Sequence, residues 1–551
     1  MSQNSKGTDN LWVTEGAPGK RSVFAKNGMV ASAHPLASAV GIKVLQDGGN
    51  AVDAAIAMAG VTGVVLPAMS GLGGDAFMII YEAKTGKYTA INGAGINAKS
   101  ATYEFFQEHG YKKMPLDGML SVAVPGAVAA YETALKMFGS RPWIDLWGPA
   151  ISLAENGHPV SAETASHIKG AREKIAKYPS SAAVYLKPNG EPYGAGEVIV
   201  QKDLAKSLRM VAEGGADVYY RGPIAEMFAR TAQQYGGLLT KDDLAGHQTE
   251  VYEPISIDYR DYRVYQTAPM SQGLIMLEGL NILDGFDLSK FASTDPAAIH
   301  LMIEAKKLAY EDRLRYAGDP KFVDLPLEML LSKEHAENRR KLIDKDHARD
   351  SYLNNGEGDT TSFVVVDKDG NAVSFIHSLS LAFGSGVVID GTGILLNNRA
   401  GRGFTLEMGH PNCVAGGKRT MHTLNTYIVA KNGRPYLVGN TPGGDGQPQW
   451  NMQVLVNILD FNLSLADAVC FPRWTSLPGT DPASIEQPVE LRIENRLPVE
   501  IQANLEKLGH RLKVVGPWQG GGQVQIIKVD PQTGVLEGFT DPRGEGIAIG
   551  H

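Results

Sequence analysis

Gly358-Asp-Thr-Thr-Ser-Phe-Val-Val-Val-Asp-Lys-Asp-Gly-Asn-Ala-Val-Ser-Phe-Ile-His-Ser378 is the stretch whose reading decides the fold. Thr361–Asp367 reads as a strand, Lys368-Asp-Gly370 as a turn, and Asn371–Leu379 as the returning strand. Asp-Gly between two such runs is a strong hairpin signal. With Lys368–Gly370 as the loop, Asp367 pairs with Asn371. Counting back then sets Thr360 opposite Ser378, although a one-residue change of register would move that pair. A polar segment, residues 345–359, runs straight into this strand. A threonine hydroxyl at a strand end is a weak nucleophile unless a base lies beside it. Cleavage before Thr360 would supply one, because the freed α-amine titrates at about 7.7–8.0, in the range of a general base. Asp-Thr-Thr is also an ordinary polar entry to a strand, and by itself it does not separate the two readings.

Working outward, residues 1–28 read as an N-terminal arm. Met29–Ala33 reads as a strand, and Pro35–Asp47 as a helix stopped by Gly48-Gly49. Asp53–Val65 reads as a small-residue helix that must be buried. The apolar stretch Ala54–Met69 around it is too short and too interrupted to span a bilayer. Phe77–Tyr81 and Tyr88–Ile91 are strand-like. Helical patterns follow at Gly126–Phe138, Trp143–Glu155, Ala162–Lys177, Leu204–Glu213, Ala225–Tyr235, Asp295–Tyr316 and Leu327–Ile343. Beyond the hairpin, strands are expected at Gly393–Leu396, Leu424–Val429, Tyr436–Val438, Val489–Ile493, Leu512–Val515 and Val524–Val529. Helices are expected there at Trp450–Ile458 and Ile501–Lys507. Strands with helices before and after them give a layered α+β body, not a βαβ array.

Of 551 residues, 43% are hydrophobic and 20% charged, which is ordinary for a globular chain. The net charge of −8 argues against a general nucleic-acid or lipid surface. The first residues lack the apolar core of a signal peptide, so a cytoplasmic location is expected. Cys413 and Cys470 read as two buried thiols, with neither a disulfide framework nor a metal spacing.

A second cluster is Asn440-Thr-Pro-Gly-Gly-Asp-Gly446 ahead of a helix. Paired glycines there can turn backbone N–H groups towards an anion, as in an oxyanion hole or a phosphate site, or simply form a tight loop. No Gly-Lys-Ser/Thr follows, which sets a nucleotide P-loop aside.

Together with Ala33-His-Pro-Leu-Ala-Ser38, Gly48-Gly-Asn-Ala-Val-Asp-Ala-Ala55, Ser70-Gly-Leu-Gly-Gly-Asp75, Val124-Pro-Gly126, Phe383-Gly-Ser-Gly386 and Gly393-Ile-Leu-Leu-Asn-Asn398, these segments resemble the γ-glutamyltranspeptidase family from about Met29 to about Asp541. The resemblance implies the four-layer αββα sandwich of N-terminal-nucleophile hydrolases. It implies self-cleavage between Asp359 and Thr360, giving a large subunit 29–359 behind the arm and a small subunit 360–551 held as one heterodimeric body; two such heterodimers could pair. Thr360 would attack an amide, with its own amine as base. Ser378 would support it, and the Gly443 and Gly444 N–H groups would hold the oxyanion. No metal or organic cofactor is implied.

The departures concern the acyl group. No arginine stands in Ile91-Asn-Gly-Ala-Gly95, where the family's carboxylate clamp aligns near Gly93. The family's head-group asparagine and aspartate align with Ser380 and Arg402, and its paired serines with His422 and Thr423. With Arg399 and Arg402 gained, the site should prefer an acid without an α-ammonium group: a small acidic amide of the oxamate or glutaryl kind. Structural ion pairing of the two arginines is the other reading, and hydrolysis or transfer of γ-glutamyl groups is the alternative activity.

Overall fold

The computed structural model describes residues 20–349, 360–477, 479–482 and 489–551. The hairpin forms the centre of the first of two seven-stranded antiparallel sheets. In order across that sheet run Ile547–Gly550, Gly28–Ser32, Thr361–Asp367, Ala372–Ser378, Asp75–Glu82, Lys87–Asn92 and Glu250–Tyr252. Across the second run Val23–Ala25, Leu536–Thr540, Gln525–Val529, Arg434–Asn440, Tyr427–Lys431, Tyr262–Gln266 and Ile255–Tyr259.

Side-chain alternation sorts the layers. From the Thr361–Asp367 strand, Val364 and Val366 meet Ile428, Val438 and Ile527 of the second sheet. Phe363 and Val365 point the other way, into a core shared with the helices Ala51–Val65 and Ala127–Phe138. The outer face of the second sheet, through Tyr427, Val429 and Leu437, is covered by the helices Gly273–Leu283, Pro296–Tyr316 and Gln447–Leu459. The result is the helix–sheet–sheet–helix sandwich of the N-terminal-nucleophile hydrolases. A strand covered on both faces explains why Phe363–Val366 is a continuous apolar run.

The helix Ala51–Val65 is apolar all round and is buried along almost its whole length, as such a helix must be. Asn50 caps it by accepting from Val52 and Asp53 N–H, while Asp53 accepts from Asn50 N–H, a reciprocal capping box. No helix among the described residues is long and apolar enough to cross a membrane.

Several expectations are corrected. The arm expected over residues 1–28 is already structured at its end, because Val23–Ala25 pairs with Leu536–Thr540 and Gly28 opens the next strand. Ala162–Lys177 divides into two helices at Ala171, and Leu327–Ile343 breaks at Leu331–Ser332. Gly393–Leu396 makes only isolated bridges, to Gly73 and Val388, and is not a strand. The buried helix Gly273–Leu283 and the Ile255–Gln266 hairpin were not anticipated.

Candidate active site

The hairpin register is the one that the loop count requires. Asp367 N–H donates to Asn371 O, and Thr361 pairs with His377. One residue further back, Thr360 Oγ1 donates to Ser378 Oγ at 3.1 Å. Ser378 Oγ also accepts from Ser380 N–H at 2.8 Å. The cleavage position Asp359 lies outside the described residues.

A cleft of about 300 Å³ opens on Thr360 and is lined also by Gly443, Trp450, Trp518 and Gly521. Gly443 sits at φ +121, and a Cβ there would lie 2.2 Å from the Trp450 ring, so no side chain fits. Gly443 and Gly444 open a short helical turn ahead of Gln447–Leu459. Their N–H groups donate to no other group of the described residues, as is usual for the first N–H groups of a helix.

The five residues expected to meet substrate, Ser380, Arg399, Arg402, His422 and Thr423, are all buried, and none of them lines this cleft. Arg402 Nη1 donates to Ser380 O at 2.6 Å, and its Nε pairs with Asp481. Arg399 Nη2 reaches Thr423 Oγ1 at 3.4 Å. The Nε and Nη1 of Arg399, the Nη2 of Arg402 and the Oγ of Ser380 have no hydrogen-bond partner among the described residues. Burial, together with the charge of Arg402, pulls the Arg399 guanidinium down to about 9.

His422 is committed. Its Nδ1 accepts from Leu424 N–H at 3.2 Å, which leaves Nε2 to donate to Asp75 Oδ2 at 3.0 Å. Burial and the neighbouring arginines hold it neutral. Asp75, which pairs in register with Ser378, is pushed up to about 7 by burial, against the pull of Arg399. At Gly93 a Cβ would lie 2.7 Å from Ala130 Cβ and 2.8 Å from Gly126 O, so an arginine clamp has no room there.

Three charged residues of this region were not singled out from the sequence. Arg313, in the last turn of Pro296–Tyr316, is buried and paired with Asp445. Asp445 in turn accepts from Asp481 N–H at 2.7 Å. The only local signal was the acid directly after the glycine pair.

A four-layer αββα sandwich with a threonine heading a central strand beside a glycine-lined cleft defines an N-terminal-nucleophile amidohydrolase, an enzyme that hydrolyses amide C–N bonds. The γ-glutamyltranspeptidase family model matches residues 37–551, and the chain belongs to that family. It is 38% identical over 532 residues to the glutathione hydrolase-like YwrD proenzyme of Bacillus subtilis, covering 96% of this chain and 99% of that one. It is 34% identical over 533 residues to the oxamate amidohydrolase proenzyme of Klebsiella pneumoniae, covering 95% and 98%. Among solved structures, a cephalosporin acylase from Bacillus halodurans superposes with a TM-score of 0.90 at 38% identity, covering 97% of each chain.

Proposed function

We infer that the chain cuts itself between Asp359 and Thr360 and then hydrolyses a small acidic amide through an acyl ester on Thr360. Residues 1–359 and 360–551 remain one heterodimeric body after the cut, in keeping with relatives named as proenzymes. In the reaction, the freed amine of Thr360 takes the proton of its own hydroxyl. Oγ attacks the amide carbon, and the developing oxyanion is held by the Gly443 and Gly444 N–H groups. The leaving amine collects the proton and departs. Water then attacks the ester and releases the acid.

The observation that carries the nucleophile is the Thr360–Ser378 contact beside the Gly443 wall. The acidic acyl group is favoured by Arg399 and Arg402, whose spare buried donors lie off the cleft but connect to Thr360 through Ser380 and Ser378, and would meet a carboxylate that reaches inward past Ser380, with His422 and Thr423 around it. The closed surroundings of Gly93 count against the γ-glutamyl clamp.

Intact mass of the wild type beside Thr360→Ala tests the first part. Two chains divided at Asp359–Thr360 in the wild type, and one in the variant, are expected; one uncut chain in both removes the nucleophile. Release of ammonia from oxamate, and of p-nitroaniline from the glutaryl and γ-glutamyl anilides, tests the second. Faster turnover of the γ-glutamyl anilide than of either acid would overturn the substrate assignment.

A further inference from the structure

The two sides of Thr360 come from distant parts of the chain, yet one run of buried contacts joins them. On one side, Ser378 Oγ holds Thr360 and accepts from Ser380 N–H. Ser380 has φ +89, a conformation that a serine adopts only when its surroundings impose it. Here its carbonyl is taken by Arg402, and Arg402 is paired with Asp481. On the other side, the Gly443–Gly444 wall runs into Asp445. One oxygen of that carboxylate pairs with Arg313, and the other accepts Thr480 N–H at 2.5 Å and Asp481 N–H at 2.7 Å. Gly444 O accepts Gln272 Nε2 at 2.9 Å, and Tyr310 OH donates to Asp445 O. Asp445 and Asp481 are 2% and 1% exposed, and Asp445 borders the cleft with both carboxylate oxygens already committed.

We propose that Asp445 and Asp481 are positioning residues that tie the Gly443–Gly444 wall to the Ser378–Ser380 turn, so that oxyanion donors and nucleophile keep a fixed spacing. Asp445 and Asp481, joined through the Asp481 N–H, would repel through their carboxylates if bare. Arg313 and Arg402, one on each, make the pair sustainable, and Arg313 draws the anchor from the part of the chain that precedes Thr360. The chemistry depends on such spacing, because donors act only when placed where charge develops. Loss of the tie at Asp445, which does not touch Arg399 or Arg402 directly, should therefore reach the rate of the chemical step and leave ground-state binding alone.

The inference rests on Thr360 as nucleophile, so the test carries Thr360→Ala alongside. Steady-state kinetics are read on glutaryl-p-nitroanilide, or on the amide that the wild type turns over best. In Asp445→Asn and in Asp481→Asn, kcat should fall at least tenfold; KM should stay within threefold in Asp445→Asn, whereas Asp481→Asn also releases Arg402 and is read on kcat. Asp481→Glu should recover part of the loss. The double variant should be no worse than the poorer single, because both cut one tie. A raised KM with kcat kept, wild-type kinetics in both variants, or losses that multiply would each overturn the proposal. Should Asp445→Asn fail to fold, Arg313→Lys is read instead: the same kcat loss supports the tie and an unchanged kcat overturns it. Wild-type turnover in Thr360→Ala would instead remove the nucleophile reading. An inactive Thr360→Ala beside a fully active Asp481→Asn would remove the tie alone.

Discussion

Ser378 Oγ accepts from Thr360 Oγ1 at 3.1 Å and from Ser380 N–H at 2.8 Å, so one hydroxyl fixes both the strand head and the turn after the hairpin. Removing it should loosen the nucleophile and release the Ser380 N–H, while Arg399, bonded to Thr423, stays in place. Ser378→Ala is expected to lower kcat by about 10–100-fold, the loss of about one to two hydrogen bonds at the reacting centre, with KM little changed. Steady-state kinetics check this. A variant with wild-type kcat would show that the Thr360 hydroxyl is placed by other contacts.

Arg399 donates to one neighbour at 3.4 Å and keeps two nitrogens without a partner among the described residues, whereas Arg402 is tied to Asp481 and Ser380. Arg399→Ala should therefore raise KM for an acidic amide tenfold or more, about 1.4 kcal/mol of lost ground-state binding. A neutral amide of the same length should show no such change. Comparing the two substrates separates a carboxylate contact from general damage to the site; an equal effect on both would leave Arg399 with a structural role only.

What could be read in advance follows from which signals are local. The hairpin was legible because turn chemistry and loop length lie within a few residues of each other, and the register placed Ser378 opposite Thr360 without further information. The Gly443 wall was legible for the same reason. The helix Gly273–Leu283 was not, since it is buried on every side and leaves no polar face to mark a period. The Ile255–Gln266 hairpin was missed because its turn places Arg260, not glycine, at φ +54. The ties of Asp445 to Arg313 and of Asp481 to Arg402 join residues 132 and 79 positions apart, and no spacing rule reaches that far. Arg313 also sits where a basic residue in the last turn of a helix ordinarily serves the helix end in solvent.

The same central strands carry an acid-sensitive residue. His377 is buried between Tyr131 OH, 2.8 Å from Nδ1, and Thr62 Oγ1, 3.0 Å from Nε2, with the Phe363 and Phe375 rings beside it. Burial pulls it down to about 3, while in the unfolded chain it titrates near 6.5. The folded form thus holds His377 neutral, and below pH 6.5 the unfolded form binds the extra proton. Its contribution to stability is complete above pH 6.5 and is lost as pH falls towards 3, reaching about 1.4 kcal/mol at pH 5.5. Burial lowers His158 to about 4, and His247 and His510 to about 3, so their effects run in the same direction. Urea midpoints should accordingly drop between pH 7.5 and 5.5. His377→Gln, which cannot take up that proton, should be less stable at pH 7.5 yet show a smaller drop. An equal drop in the variant would mean that His377 is not among the groups that make the fold acid-sensitive.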